Sequence, residues 1–266
     1  MVEYYLIRSV VKAIAVLRAF SKERPVLGVS ELSRLLGFNR TVTQKLLLTL
    51  QREGLLEQDP HTKKYSLSPR VVEFASSFLN ASPLTREGRR YVHELVEQSR
   101  MSCALGILDS DGVLYLVSEE ADASVKATSR AGERSPLHCT ATGKCLLAFL
   151  PEADQKSVLQ RLKLRRMTPT TITSRPALQR EIAQIASRGY AINTEERVVG
   201  LCGVAAPVVN HDGRGIAALS AAIPKGIVSE TTFDEVARLT VAVGKELSAR
   251  LEGLAGHPEI DSPVRR

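Results

Sequence analysis

The chain has no tryptophan, few aromatic residues (5%) and only four cysteines among its 266 residues. Cys103, Cys139, Cys145 and Cys202 form no C-x-x-C pair and have no ligand-like spacing with the five histidines. This pattern argues against a disulfide framework and against a structural zinc ion, and it favours buried free thiols in a reducing compartment. We expect neither a metal site nor a cofactor.

Long apolar runs are also lacking. No stretch approaches the roughly 18–20 apolar residues that a membrane-spanning helix needs, and the first residues do not join a basic segment to an apolar one as an export signal does. The sequence therefore predicts a cytoplasmic protein without a membrane partner. With 44% hydrophobic and 24% charged residues, the chain has enough apolar side chains for well-packed cores.

The excess positive charge is concentrated in the first quarter of the chain. Residues 1–70 carry 12 Lys and Arg against 6 Asp and Glu, whereas residues 71–266 carry 24 against 23. A basic module followed by a near-neutral body is typical of a protein that binds a polyanion at one end. The length and the charge step together indicate more than one domain.

Three helices are predicted in the basic module, residues 1–68. Gly37 should end the second helix, which Ser30 should cap, and a third helix should run from the N-cap Asn39 to Glu53. A first helix is marked by apolar residues at helical spacing, Val10, Ile14, Leu17 and Phe20. Residues 55–57 and 64–67 alternate around a turn at 59–62 and predict a hairpin.

Helix, helix, glycine turn, helix and basic hairpin make a winged helix-turn-helix, whose third helix reads the major groove. The apolar residues of that helix share one face, and its outer face carries donors and acceptors. The residues expected to contact double-stranded DNA are Arg40, Thr41, Val42, Gln44 and Lys45, with Lys63 and Lys64 of the hairpin. The alternative is a packing unit whose basic residues only keep it soluble.

Residues 69–82 predict a linker helix that begins at Ser68-Pro69. Val71, Val72, Ala75, Phe78 and Leu79 make this helix too apolar to stand alone in water. Its partner is either the same helix of a second subunit, which would present two DNA-binding modules as a pair, or another part of its own chain.

The body, residues 83–255, predicts an α+β domain with an antiparallel sheet flanked by helices. Asp-Gly turns mark two hairpins, over 103–117 and 203–223. Helices are expected over 84–99, 141–150, 152–162, 176–188 and 231–251. The tail, residues 256–266, is expected to be disordered.

The segment Pro136–Lys144 leads directly into a helix with small residues at its start. Free backbone N–H groups at such a start carry partial positive charge and bind carboxylates. A second unusual stretch, Tyr190–Pro207, places polar and small residues beside the terminal hairpin. Both segments are candidates for the lining of a ligand pocket, and a plain cap and turn is the alternative for the first.

Several motifs resemble the IclR family of bacterial transcriptional regulators. They are the run Arg130–Lys144, then Arg188–Ala191, Glu195-Glu196 and Gly203–Val208, together with an N-terminal match from Ser9-Val10 through Ser30-Glu31-Leu32 to Gly54-Leu55-Leu56. The likeness covers roughly residues 6–253. It implies a winged helix joined by a linker helix to a GAF-like effector domain, in a homodimer or dimer of dimers that responds to a small carboxylic or aromatic acid and controls a catabolic operon.

Carried over residue by residue, the resemblance implies an effector pocket formed by Ala141, Thr142, Asn193, Glu195, Gly203, Ser220 and Ala222. Three departures from the family pattern bear on the ligand. Position 193 is Asn where many relatives have Asp, Cys202 precedes Gly203 where relatives often have the cysteine one place later, and Ala222 replaces a polar residue of some relatives. These changes leave open a ligand larger or less polar than a two- or three-carbon acid.

Two other functions remain as alternatives to a regulator. One is an enzyme that uses Cys139 or Cys202 as nucleophile with His138 nearby, although adjacent residues rarely aim their side chains at one another. The other is a nucleoid protein that binds DNA without a ligand, which leaves the body of the chain without a role. The operator, the effector and the sign of regulation stay open.

Overall fold

The computed structural model describes residues 6–121 and 129–253. The chain divides into two compact units, Met1–Phe78 and Leu79–Arg266. The division falls within helix α4 (Val71–Ala81), inside the segment 69–82 that the sequence predicts to join two domains. The predicted disordered tail, residues 256–266, lies outside the described residues.

The N-terminal unit is a winged helix-turn-helix. Three helices pack with a small antiparallel sheet of strand order β1-β3-β2. The side chains of Val16, Leu32, Leu47, Leu56 and Tyr65 form the centre of its core. The elements are α1 (Arg8–Ala19), β1 (Val26–Leu27), α2 (Val29–Leu36), α3 (Arg40–Arg52), β2 (Leu56–Gln58) and β3 (Tyr65–Leu67).

Local sequence signals set the ends of the second and third helices. Asn39 caps α3, since its Oδ1 accepts the backbone N–H of Thr41 at 2.8 Å, and Gly37 ends α2 at φ +67°, both as predicted. The predicted cap Ser30 is wrong. The N-cap of α2 is Gly28, two residues earlier, because its backbone is still extended and its N–H donates to the Glu31 carboxylate at 2.6 Å.

The buried face of α1 differs from the predicted stripe. Val16, Ala19 and Phe20 are buried, whereas Val10 and Ile14 are 54% and 43% exposed. Since α1 carries apolar residues on two sides, helical spacing alone did not distinguish the side that packs in its own unit. The exposed side therefore remains available for contact with another surface.

The C-terminal unit is a six-stranded antiparallel sheet of order β6-β5-β4-β9-β8-β7 with helices on both faces. Its helices are α5 (Pro83–Ser99), α6 (Ala141–Ala148), α7 (Glu152–Arg161), α8 (Arg175–Arg188) and α9 (Glu230–Glu252). Its strands are β4 (Ser102–Asp109), β5 (Gly112–Glu119), β6 (Arg134–Pro136), β7 (Ala191–Thr194), β8 (Leu201–Val209) and β9 (Gly215–Pro224).

Alternation along β4 shows which helices cover which face. Leu105 points to Gly88 of α5, and a Cβ on the next residue, Gly106, would lie 2.9 Å from the Thr142 side chain of α6. Helices α5 and α6 therefore lie on opposite faces of the sheet. The α6 face contains a core formed with α7 and α8, including Leu147, Val158 and Leu178.

The predicted hairpins and helices of the body are confirmed to within two residues at each end. Sequence patterns missed β1, β6 and β7, which have two to four residues each. Strands this short show too little alternation to be recognised. Among the described residues, no helix is both long and apolar enough to cross a lipid bilayer.

Candidate functional site

The predicted DNA-contacting residues of α3 lie along its first two turns. Arg40, Thr41 and Lys45 are exposed, and Val42 is half-buried. Gln44 is half-buried as well, and its Nε2 donates to the hydroxyl of the buried Tyr65 at 3.5 Å. Arg40, Thr41, Gln44 and Lys45 thus lie on the outer side of α3 and Val42 lies at its edge, with Gln44 oriented by the hairpin.

The two predicted hairpin lysines differ in their surroundings. Lys63 is exposed in the turn at φ +57°. The Lys64 ammonium lies 3.2 Å from Glu31 of α2, whose carboxylate also accepts the Gly28 N–H. The bond from the Gly28 N–H, and to a smaller extent the bond from Lys64, lowers the pKa of Glu31. Lys63 therefore extends freely into solvent, while Lys64 ties the hairpin to α2.

The C-terminal unit contains a cavity of about 70 Å³ between the sheet and the start of α6. That volume is several times the roughly 10–15 Å³ that one water occupies on such a measure. Its floor consists of short side chains of β4, β8 and β9, which leave room that larger residues would fill. The lining includes Ser102, Ala104, Gly203, Ser220 and Ala222 on the floor, with Tyr115, Thr140, Ala141, Thr142 and Arg197 around it.

The start of α6 offers backbone donors to this cavity. The Thr140 side chain caps the helix by accepting the Gly143 N–H at 3.0 Å. The N–H groups of Ala141 and Thr142 donate no hydrogen bond within the part of the chain that the structure describes. Free N–H groups at a helix start bind anions through their partial positive charge. The arrangement is suited to a carboxylate.

Gly143 allows α6 to begin at this place. A Cβ at Gly143 would lie 2.4 Å from the carbonyl oxygen of Leu137, so any other residue would collide with the preceding backbone. A Cβ at Gly203 of the floor would lie 3.8 Å from the Cβ of Ala141. The helix start is thus held close above the floor of the cavity.

Five of the seven residues predicted for the effector pocket line the cavity: Ala141, Thr142, Gly203, Ser220 and Ala222. The other two, Asn193 and Glu195, are not among its lining residues as far as the chain is described. Asn193 is buried and donates from Nδ2 to the Cys139 carbonyl at 2.7 Å. Glu195 accepts the Gly200 N–H at 2.8 Å. Both side chains fix the loop after β7.

The sequence interpretation missed Arg197, which lines the cavity. Its Nη2 donates to Oε1 of Glu133 at 3.3 Å. A signal was available, because Arg197 follows Glu195-Glu196 in the polar stretch that was singled out. Spacing alone does not distinguish a solvated arginine from one that faces a cavity.

A buried ion pair lies beneath the start of α6. Lys144 is 1% exposed, and its Nζ lies 2.5 Å from Oε1 of Glu196 and 3.3 Å from Oε1 of Glu181. Oε2 of Glu196 is buried and has no hydrogen-bond partner within the described residues. Burial raises the pKa of the Glu196 carboxyl, and Lys144 opposes this effect. The pair links α6 to the loop that carries Arg197.

The cysteines are not nucleophiles. All four are buried, and burial raises the pKa of the Cys139 thiol to about 11 and that of Cys103 to about 12, so both stay protonated at neutral pH. Burial also raises the pKa of Cys202. His138 donates from Nε2 to the Arg165 carbonyl at 2.8 Å instead of activating a thiol. The interpretation as a cysteine enzyme is wrong.

Comparison with known proteins gives two family matches. The family described as "Bacterial transcriptional regulator IclR C-terminal" matches residues 76–249, and "IclR helix-turn-helix domain" matches residues 9–60. Since the first match covers more than half of the chain and the second falls on α1 to β2, both units are accounted for. Within the described ranges 6–121 and 129–253, no three His, Cys, Asp or Glu side chains are grouped as metal ligands.

Individual relatives agree with these matches. The chain is 35% identical over 215 residues to the HTH-type transcriptional regulator XynR of Escherichia coli, covering 81% of this chain and 85% of XynR. It is 31% identical to the regulator KdgR of the same organism, over 92% and 93% of the two chains. A solved IclR homologue from Microbacterium hydrocarbonoxydans, complexed with 4-hydroxybenzoate, is 25% identical with a TM-score of 0.75, over 91% of this chain and 99% of that one.

Proposed function

This chain belongs to the IclR family of bacterial transcriptional regulators, which are not enzymes, and we propose that it is a cytoplasmic regulator of a catabolic operon whose binding to its operator is modulated by a small carboxylic or aromatic acid. The acid binds in the cavity at the start of α6. The observation that carries this proposal is the pair of free N–H groups, of Ala141 and Thr142, above a floor of short side chains.

The DNA-binding part of the proposal rests on α3. Its exposed Arg40, Thr41 and Lys45 and the half-buried Gln44 offer donors and acceptors that match base edges and phosphates in the major groove. Lys63 extends from the hairpin, where it can contact a phosphate on either side of the groove. This division assigns sequence reading to α3 and sequence-independent affinity to the hairpin.

We propose a homodimer, or a dimer of dimers, as the binding species. On α1, Val10 is 54% exposed, and on α4, Val72 and Phe74 are 65% and 66% exposed. Apolar surfaces of this kind are usually covered by a partner in a soluble protein. A second copy fits, because a helix-turn-helix protein reads the two half-sites of a pseudo-palindrome as a two-fold pair.

Regulation then follows from a shift between two arrangements of the paired DNA-binding modules. An acid that binds one arrangement better than the other changes operator affinity by a coupling free energy of about 1–3 kcal/mol. The relative in complex with 4-hydroxybenzoate supports an aromatic acid as one possible ligand. The hydroxyl group of Ser102, which accepts the Ala121 N–H, can donate to a hydroxylated acid as well.

The direct test is fluorescence anisotropy with the full chain, comparing its own promoter with a scrambled duplex of equal length at moderate salt. We expect clear preference for the promoter, and a change in that preference when a carboxylic acid from a metabolite panel is added. Equal binding to both duplexes would refute the DNA-reading part. Preference that no acid alters would refute the effector part.

Thr142→Trp should leave promoter binding intact and abolish the response to the acid that acts on the wild type. Thr142 borders the cavity, and its methyl group lies only 2.9 Å from where a Cβ on Gly106 would be. The larger indole of tryptophan would therefore fill the cavity. Anisotropy titrations of both proteins, with and without the acid, measure this. Gln160→Trp, at an exposed site of α7, is the matched control and should respond normally. A normal response from Thr142→Trp would place the pocket elsewhere.

A further inference from the structure

We propose that Arg197 binds the carboxylate of the effector, and that Glu133 occupies the Arg197 guanidinium when no effector is present. The inference rests on the proposed function of the cavity and adds that the ligand must carry a negative charge. Its basis is geometric: Arg197 lines the cavity, and its Nη2 donates to Oε1 of Glu133 at 3.3 Å. A carboxylate of the chain itself thus already pairs with the guanidinium that a carboxylate ligand would use.

Arg197 is the one basic side chain among the lining residues within the described part of the chain. The other cation near the start of α6 is Lys144, which is almost fully buried and already paired with Glu196 and Glu181. The acidic lining residue, Glu119, is paired with His93 of α5 at 2.7 Å. Arg197 is therefore the side chain with which an anion in the cavity can form an ion pair.

The backbone before Arg197 is anchored to the start of α6. Asn193 donates to the Cys139 carbonyl at 2.7 Å and accepts the Glu196 N–H at 3.0 Å. The Glu196 carbonyl accepts the hydroxyl of Thr171 at 2.7 Å. Together with the Lys144–Glu196 pair, these bonds fix the loop that places Arg197 at the same cavity as the free N–H groups of Ala141 and Thr142. Asn193 and Glu196 are positioning residues for the anion site.

The pair with Glu133 is exchangeable. The side chains of Arg197 and Glu133 are 27% and 40% exposed, and ion pairs open to solvent contribute little net stability. The other oxygen of Glu133 accepts the Arg130 N–H at 3.2 Å, which keeps Glu133 in its own turn. A ligand carboxylate can bond to the Arg197 guanidinium and to the free N–H groups of α6 at the same time. It therefore has more hydrogen-bond donors than Glu133, which has only the guanidinium of Arg197 on this side.

The first experiment compares carboxylates with their neutral amides on the full chain. The probes are acetate, gluconate and 4-hydroxybenzoate against acetamide, gluconamide and 4-hydroxybenzamide, with binding measured by isothermal titration calorimetry and by thermal shift at matched ionic strength. We expect at least one carboxylate to bind and its amide to bind at least about tenfold more weakly, because the amide lacks the charge. An amide that binds as well as its carboxylate would overturn the inference, as would binding by none of the carboxylates.

The second experiment is a double-mutant cycle with the carboxylate that binds best. Arg197→Gln should weaken its binding about ten- to hundredfold, since a charge-assisted bond is lost. Glu133→Gln should strengthen it about two- to fivefold, because the competitor is removed. Glu133→Gln in the Arg197→Gln background should have no further effect, since no guanidinium remains to be released.

Lys156→Gln and Glu152→Gln, at an exposed ion pair of α7, are the matched controls and should leave affinity unchanged. If Arg197→Gln binds the carboxylate like the wild type, or Glu133→Gln strengthens binding equally in both backgrounds, the inference is wrong. That result is distinguishable from failure of the proposed function, which would appear as a lack of promoter preference or of any response to acids in the wild-type protein.

Discussion

Replacing Lys144 by methionine is expected to lower the unfolding free energy of the C-terminal unit by about 3–5 kcal/mol, because it leaves the buried Glu196 carboxylate without its cation. Lys144 is 1% exposed and lies 2.5 Å from Glu196, whose second oxygen already lacks a partner among the described residues. Urea unfolding followed by far-ultraviolet circular dichroism measures the loss. The double variant Lys144→Met/Glu196→Met should recover part of it, since the unpaired charge at position 196 is then gone.

The deficit in unfolding free energy caused by Lys144→Met should also depend on pH. Burial raises the pKa of Glu196 in the folded state, and removing Lys144 raises it further. A carboxyl whose pKa is higher folded than unfolded favours the folded state when it is protonated, so the deficit should shrink as pH falls and grow as pH rises through that pKa. Lys156→Met, at an exposed pair, should cost less than about 0.5 kcal/mol at any of these pH values. A deficit of Lys144→Met no larger than that would show that the buried pair is dispensable.

Arg40→Ala is expected to weaken binding to the specific operator by about 1–3 kcal/mol while changing binding to random duplex much less. Arg40 is the first residue of α3 and is exposed, so its guanidinium can reach a guanine edge. Gln44→Ala, one turn further along the same face, should behave similarly. Anisotropy titrations on promoter and scrambled duplexes measure the specificity ratio, and Arg238→Ala on α9 is the control in the other unit.

Lys63→Ala should behave differently from Arg40→Ala. Because we propose that Lys63 contacts a phosphate, its loss should weaken binding to both duplexes alike and reduce the slope of log affinity against log salt by about one. Titrations at several salt concentrations give that slope. If Arg40→Ala, Gln44→Ala and Lys63→Ala each lose as much affinity for scrambled DNA as for the promoter, α3 is not the element that reads sequence.

The elements of the N-terminal unit were largely predictable because their signals are local. Asn39 and Gly37 act within one helical turn, and the structure places both as predicted. Ser30 failed as a cap because the helix already starts after Gly28, whose N–H donates to the Glu31 carboxylate, and residue preference alone does not reveal that bond. The buried side of α1 was not predictable either, since both of its sides carry apolar residues and only tertiary packing selects between them.

The candidate effector site was predictable in part for a similar reason. Ala141 and Thr142 follow from the helix start that Thr140 caps, which is a local signal. Asn193 and Glu195 were chosen by resemblance, but their side chains bond to backbone groups of the chain. Arg197 was missed because its exposure to the cavity depends on bonds between the loop after β7 and residues more than fifty positions earlier. Long-range contacts of this kind leave no pattern in the sequence.

The close contact between Gly143 and the carbonyl of Leu137 has a consequence for protein engineering. Since a side chain at Gly143 would collide with the backbone of Leu137, position 143 cannot be varied to reshape the cavity. A biosensor for a new metabolite should therefore be built by changing residues of the cavity floor such as Ala104, Ser220 and Ala222. Under the proposed binding mode, libraries at these three sites should alter which compound is detected while its carboxylate remains at the start of α6.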